Sequence, residues 1–308
     1  MGLEMIENIL FATIRTGTPL LLVGLGAMVS ERSGVLNLGQ EGMILVGAVC
    51  AFIAAHESGS IPIGVVSGLL AGALYSLVFA FIALTFISNQ IATGLALTIF
   101  GTGLSAFLGV NYVGLSLQGL SGMEIPLLNR IPILGEALFS QDALVYLSFI
   151  LFAAIYYVMS YTRLGLIIRS VGESPEVAHT MGYRVLAVRY AAVLFGGAMA
   201  GLAGAYLSLA YTQMWMEEMS AGRGWIALAL VVFASWRTER VLIGAWLFAF
   251  ASILHLVLQG LGYAVSPNLL SMLPYVATIL ALVIMMSRAG ETGHSAPKSL
   301  GKPYNPQK

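Results

Sequence analysis

Eight stretches of this chain are apolar for long enough to cross a membrane as helices, which removes most folds from consideration. They fall at about 9–29, 36–55, 61–87, 91–112, 143–159, 190–211, 241–259 and 269–286, and about 20 apolar residues span a hydrocarbon core of ~30 Å. Only 9% of the 308 residues are charged and 58% are hydrophobic, against about 25% charged in soluble domains. Hydrocarbon offers no water to a free amide, so each segment must bond its own backbone, and the expected fold class is all-α. The 35 glycines, mostly inside apolar segments, point to close helix packing and local breaks.

A ninth run, Trp225 to Trp236, has only twelve residues and as a helix covers roughly 18 Å. Residues 212–224 before it are expected to dip into the membrane or to pack over its mouth. Nine crossings place the termini on opposite sides. With the C-terminus inside, Arg32, Arg163, Arg169, Arg184, Arg189, Arg237, Arg240, Arg288, Lys298, Lys302 and Lys308 face the cytoplasm, and only Arg130 and Arg223 face out; the bias sets the orientation. Glu4 and Glu7 precede the first run without an early Lys or Arg, so that run is expected to be kept rather than cleaved. Residues 1–290 are expected to form the membrane domain, and 291–308, with three prolines, a disordered cytoplasmic tail.

The longest polar interruption is Arg169 to Arg189. Ser174 suits an N-cap, Pro175 the first helical position, Glu176 the positive end of a helix, and Gly182 a stop. This pattern predicts a two-turn cytoplasmic helix near 173–181, either a handle for a soluble partner or a solvated loop. A weak internal repeat links Gly24–Gly26 and Gly39-Gln40-Glu41-Gly42 with Gly201–Gly204 and Gly222-Arg223-Gly224. Odd crossings between the copies invert the second, which points to two inverted halves around a central path; chance likeness between Gly-rich stretches is the alternative.

Ionisable groups inside membranes are costly. Glu41 either bonds substrate hydroxyls or pairs with Arg15, Arg32 or another helix. Asn37, Gln40, Asn89, Gln90 and Thr93 gather at the cytoplasmic ends of adjacent spans, to line a vestibule for a neutral polar solute or to cap free backbone groups. Arg223 with Glu217 and Glu218 forms a charged outer constriction or a self-neutralising set. His255 is expected to be hydrogen-bonded packing, and Trp215 an interfacial anchor. Cys50 is alone, which excludes an internal disulfide. Phosphate-loop, His-Glu-x-x-His and Gly-x-Ser-x-Gly motifs are missing from the sequence, so ATP hydrolysis by the usual machinery is not expected here. No catalytic set, metal site or nucleic-acid partner is expected.

Several blocks together resemble the permease subunits of bacterial ABC importers of the branched-chain amino acid and simple sugar group, nearest to its nucleoside permeases. They are Asn37-Leu-Gly-Gln-Glu-Gly-Met43, Arg169-Ser-Val-Gly-Glu-Ser-Pro-Glu176 with Val188-Arg189-Tyr190, Gly196 to Tyr206, and Ser220 to Ala229. Where the group's pattern calls for Phe-Gly-Gly-Trp, this chain has Phe233-Ala234-Ser235-Trp236. The resemblance implies a second permease, two cytoplasmic ATPase subunits that use ATP, and an external binding protein, all at a bacterial cytoplasmic membrane. It implies that Gly172, Glu173, Ser174, Pro175, Glu176, His179 and Gly182 meet the ATPase. It also implies a nucleoside or similar small neutral polar solute, passing Asn37, Gln40, Glu41, Asn89, Gln90, Thr93 and Arg223. The rival classes are an ion-coupled carrier or channel, in which Glu41 would be the coupling carboxylate, and, more remotely, a membrane enzyme.

Overall fold

The computed structural model describes residues 3–120, 122, 134–260 and 296–305, with isolated positions between 272 and 283. Seven helices there are long and apolar enough to cross a membrane. They are α1 (Leu3–Arg32), α2 (Gln40–Ser58), α3 (Ile61–Ala80), α4 (Gln90–Gly109), α6 (Ala143–Tyr161), α9 (Val185–Tyr206) and α11 (Thr238–Gly260). The shorter α5 (Leu134–Phe139), α7 (Arg163–Glu173), α8 (Pro175–Thr180) and α10 (Arg223–Phe233) connect them. The twelve-residue run is thus a half-helix, and the run at 269–286 lies outside the described residues, as does the sequence beyond Tyr304 and Asn305.

Helix α9 is the axis of the bundle, packed on α1, α2 and α3. Its glycines make this possible. A methyl on Gly201 would strike the Gly68 carbonyl of α3, one on Gly204 the Ile44 carbonyl of α2, and one on Gly72 the Gly197 carbonyl. Membrane helices gain little from burying apolar surface against each other, so backbones this close gain dispersion contacts instead. Buried hydroxyls are satisfied within the bundle: Ser208 donates to the Ala48 carbonyl at 3.0 Å and Ser105 to Leu45 at 3.1 Å.

Helices α3 and α9 both end in a widened five-residue π turn, at Phe81–Thr85 and Leu207–Tyr211. Such turns free backbone groups for outside partners. The second one presents the Ala210 carbonyl, which accepts from Arg15 Nη2 at 2.9 Å. The chain then leaves α10 through Ser235 and Trp236, at φ 50° and 56°. Ser235 stands where the family pattern calls for glycine, and glycine takes that left-handed backbone without penalty.

Candidate functional site

The two glycine breaks meet. Helix α2 starts at Gln40 rather than near 36, because Asn37 Oδ1 takes the Gly39 amide at 2.8 Å and holds residues 35–39 out of the helix. In the first turn of α2, the buried Glu41 carboxylate accepts from Ser220 Oγ at 2.6 Å, from the Gly222 amide at 2.8 Å and from the Gly224 amide at 2.6 Å. The first amides of α10 have no partner within their own helix, and the helix dipole favours an anion there. Glu41 therefore caps α10 from another helix. Gly222 turns the chain at φ 79°, and a side chain on Gly224 would run into the Glu41 backbone.

Arg15 and Arg32, offered as partners for Glu41, are engaged elsewhere. Arg15 Nε lies 4.0 Å from Asp142, whose other oxygen caps α6 through the Leu144 and Val145 amides. Arg32 Nε donates to the Trp236 carbonyl at 2.9 Å, while the Trp236 indole donates to the buried Glu31. Sequence reading missed Glu31, Asp142 and Trp236, since these pairs are more than a hundred residues apart.

The polar group on α2 and α4 is a set of backbone caps with a remainder. Asn89 Oδ1 caps α4 through the Ala92 amide, Thr93 Oγ1 donates to the Asn89 carbonyl at 2.8 Å, and Gln90 Oε1 accepts the Leu36 amide at 2.8 Å. Gln40 Oε1 and Nε2 and Gln90 Nε2 are buried and find no hydrogen-bond partner among the described residues. Arg223 bonds the Met219 and Ser220 carbonyls and lies 5.6 Å from the Tyr211 ring centre. Among the described residues it forms no ion pair with Glu217 or Glu218. Trp215 is not an interfacial anchor. It is only 1% exposed and wedged against Gly109, because the 212–222 loop plunges into the bundle instead of lying on it. His255 Nδ1 is buried and finds no hydrogen-bond partner among the described residues.

Against the turn that follows α1 stands the knob, with Gly172 packed on the Arg32 carbonyl. Its helix α8 begins after Ser174 with Pro175 first, and the chain turns at Gly182 with φ 89°. Ser174 sits at the cap position, but its hydroxyl faces Glu176 at 3.5 Å rather than a backbone amide. Before α8 lies α7, unforeseen by sequence reading because Arg163 and Arg169 interrupt its apolar positions. Val171, Ala178, Val185 and Tyr304 form a small separate core under the knob. Glu176, Val177, His179 and Met181 point outward.

Tyr304 belongs to the tail, and there the expectation of disorder fails for residues 296–305. Ser299 bonds the Gly172 carbonyl through its amide at 3.0 Å and its hydroxyl at 2.6 Å, and the Gly301 amide reaches the Gly34 carbonyl at 3.2 Å. The fully buried Arg189 donates to Ser33 O at 3.2 Å and Ser299 Oγ at 3.0 Å, with the Tyr304 ring at 5.7 Å. Lys298 pairs with Glu173 at 2.8 Å. That contact lowers the Glu173 carboxyl and raises the Lys298 ammonium from their usual pKa ranges. A proline-rich composition signals disorder only where the segment has nothing to bury. Here Gly172 and Gly34 expose carbonyls that a short turn can reach.

Two broken segments meeting inside a multi-span helix bundle define the class as a membrane permease. Residues 9–286 match the family described as branched-chain amino acid transport system / permease component. A putative glucose ABC transporter permease of Haloferax volcanii is 41% identical, with 97% of each chain covered. A guanosine ABC transporter permease of Bacillus subtilis is 34% identical over 98% of this chain and 97% of its own. A nucleoside ABC transporter permease of Lactococcus lactis is 32% identical over 93% of both. The chain belongs to this permease family and is a multi-pass protein of the inner membrane.

Proposed function

We propose that this chain is one permease of an ATP-driven ABC importer that carries nucleosides or similar small neutral polar solutes inward. A second permease, two cytoplasmic ATPases and an external binding protein would complete it, with ATP used by the ATPases and no cofactor in this chain. The observation that carries the neutral solute is the state of Glu41. Its charge is spent on Ser220, Gly222 and Gly224, so where the two breaks meet, the groups left to offer are the Gln40 and Gln90 amides. Amides can bond sugar hydroxyls or base edges without holding an ion. The same bonds occupy both Glu41 oxygens, which speaks against Glu41 as the coupling carboxylate of a carrier.

The solute path would pass Asn37, Gln40, Asn89, Gln90 and Thr93, with Arg223 at the outer loop. The knob, Gly172 to Gly182 with Glu173, Ser174, Pro175, Glu176 and His179, would meet the ATPase. Its exposed Val177 and Met181 beside Glu176 and His179 suit a protein groove better than solvent. A sugar is the second reading, favoured by the relative named as a glucose permease. Uptake of labelled guanosine, uridine, ribose, glucose and leucine by cells expressing the complete transporter tests both. Nucleoside uptake that stops when the ATPase is inactivated supports the proposal. Leucine uptake alone, or uptake indifferent to the ATPase, overturns it. Gln40→Ala should lower uptake rate more than apparent affinity, because tight binding would belong to the external protein.

A further inference from the structure

Beside α7, which leads into the knob, lies an unassigned cavity. It holds about 340 Å³ and collects Arg32 from α1, Arg169 from α7 and Arg237 from the turn before α11, with Tyr156 and Ser160 of α6 at its wall. Glu239 is its one carboxylate, and it is bonded to Arg237 at 2.8 Å. Arg169 Nε is turned back to Gly165 O at 3.3 Å, as Arg32 Nε is to Trp236 O. The terminal nitrogens of Arg32 and Arg169 carry no hydrogen bond among the described residues. Glu173 acts on Arg32 only from outside the lining and is paired with Lys298, so three guanidiniums line the cavity against one carboxylate and make a site for an anion.

Its place says which anion. Helices α1 and α6 end here and α11 begins here, so the cavity sits at the level where spans meet the aqueous surface. Tyr157 and Tyr161, 62% and 69% exposed on the same end of α6, mark that level, as aromatic side chains do at membrane interfaces. Met159 lines this cavity and also a second one of about 400 Å³. The second is apolar, walled by Leu151 and Ile155 of α6, Leu164 and Ile168 of α7, and Val188 and Phe195 of α9. Helix α7 presents Leu164 and Leu166, more than 60% exposed, beside Arg163 and Arg169. That is the pattern of a helix lying in the membrane surface.

We infer that the three-arginine cavity binds the phosphate of an anionic phospholipid whose acyl chain lies in the adjoining apolar groove. The lipid would bridge the end of α1, the α10–α11 turn and α7. Because α7 runs directly into the knob, anionic lipid would then set how firmly the knob is seated. This site does not depend on which solute is carried.

The assembled transporter, exchanged from detergent into nanodiscs of phosphatidylcholine with or without phosphatidylglycerol of the same chains, supplies the test. Lipids retained after gentle re-extraction are counted by native mass spectrometry. Wild type should retain phosphatidylglycerol over phosphatidylcholine. Arg169→Gln and Arg237→Gln should each weaken that preference about fivefold, the effect expected of one basic side chain near a membrane surface. Arg163→Gln, on α7 but outside the cavity, should keep it. Equal retention by all three variants would overturn the inference. Displacement of the bound lipid by millimolar inorganic phosphate would also overturn it, in favour of a soluble anion. ATPase rate in the same nanodiscs should rise with phosphatidylglycerol for wild type and not for Arg169→Gln; a matching rise in both would sink the link to the knob.

Discussion

The Glu41 clasp and the knob at 172–182 are both short helices started at a break, yet they are held by opposite means. The clasp lies inside the helix bundle, where one buried carboxylate satisfies two amides and a hydroxyl. The knob rests on a core of four side chains, a few carbonyl contacts from the tail and an exposed ion pair. Local stability follows the number of buried contacts, so the clasp should open only with the bundle, whereas the knob and its tail can lift as one piece. Under the proposed function, a subunit driven from the cytoplasm would use that division: a fixed centre for helices to turn about, and a surface that can be pulled.

The largest effect should come from the close backbone contacts that fix the centre. Gly201→Leu forces a side chain into the Gly68 carbonyl, with Gly72 also in the way, and the helices cannot separate without losing the bundle. Little folded protein should survive detergent extraction and size-exclusion chromatography. Gly103→Leu, with open space around it, should behave as wild type. Comparable yields of both variants would mean that the α3–α9 contact is not what holds the centre.

Next in size is the clasp itself. Glu41→Ala removes bonds to a charged acceptor worth about 1.5–3 kcal/mol each and strands the buried Gly224 amide along with the half-buried Gly222 amide. A midpoint fall of about 10 °C in thermal unfolding is expected on that basis. Glu41→Gln keeps one acceptor oxygen and should fall by less. If Ala and Gln variants unfold together at the wild-type temperature, the contrast between the two regions is wrong at its stronger end.

Third comes the knob. Tyr304→Ala empties part of its small core, and Ser299→Ala removes the hydroxyl shared by Gly172 and Arg189. Amide exchange should quicken several-fold over 172–185 and stay unchanged over 40–46, since the clasp shares none of these contacts. Coupling of ATP hydrolysis to uptake should loosen in parallel. Exchange that rises equally in both regions would show one cooperative unit, not two.

What the sequence made legible follows from range. The seven described spans, the half-helix before Trp236 and the α8 helix with its proline and glycine signals are local, and these were readable from periodicity and caps. The pairing of Arg15 with Asp142, of Glu31 with Trp236, and of Glu41 with α10 was not, because any carboxylate in an apolar run satisfies the same local rules. The tail misled for a different reason: its order comes from carbonyls offered by Gly172 and Gly34, which no property of residues 296–305 announces. Trp215 misled because a tryptophan beside two methionines reads alike whether its loop lies on the membrane or plunges into the bundle.

The smallest effect belongs to the Glu173–Lys298 pair, and its pH dependence has a definite sign. Lys298 lowers the Glu173 pKa, so that carboxylate contributes to tail docking above its unfolded pKa and loses the contribution as pH falls through the lowered folded value. Glu173 raises the Lys298 pKa, so the ammonium contributes fully below its unfolded pKa and stops as pH rises through the raised one. Docking should therefore be flat through neutral pH and weaken at the acid and alkaline ends. Both groups are half or more exposed, so solvent and salt screen the pair and the change should be slight. Exchange over 296–305 in Lys298→Gln should lose the acid-side change while keeping nearly wild-type protection at neutral pH. The double exchange Glu173→Lys with Lys298→Glu should restore the pH dependence. A large loss of protection at neutral pH in Lys298→Gln would mean that the ion pair, and not Ser299 with Tyr304, holds the tail against the knob.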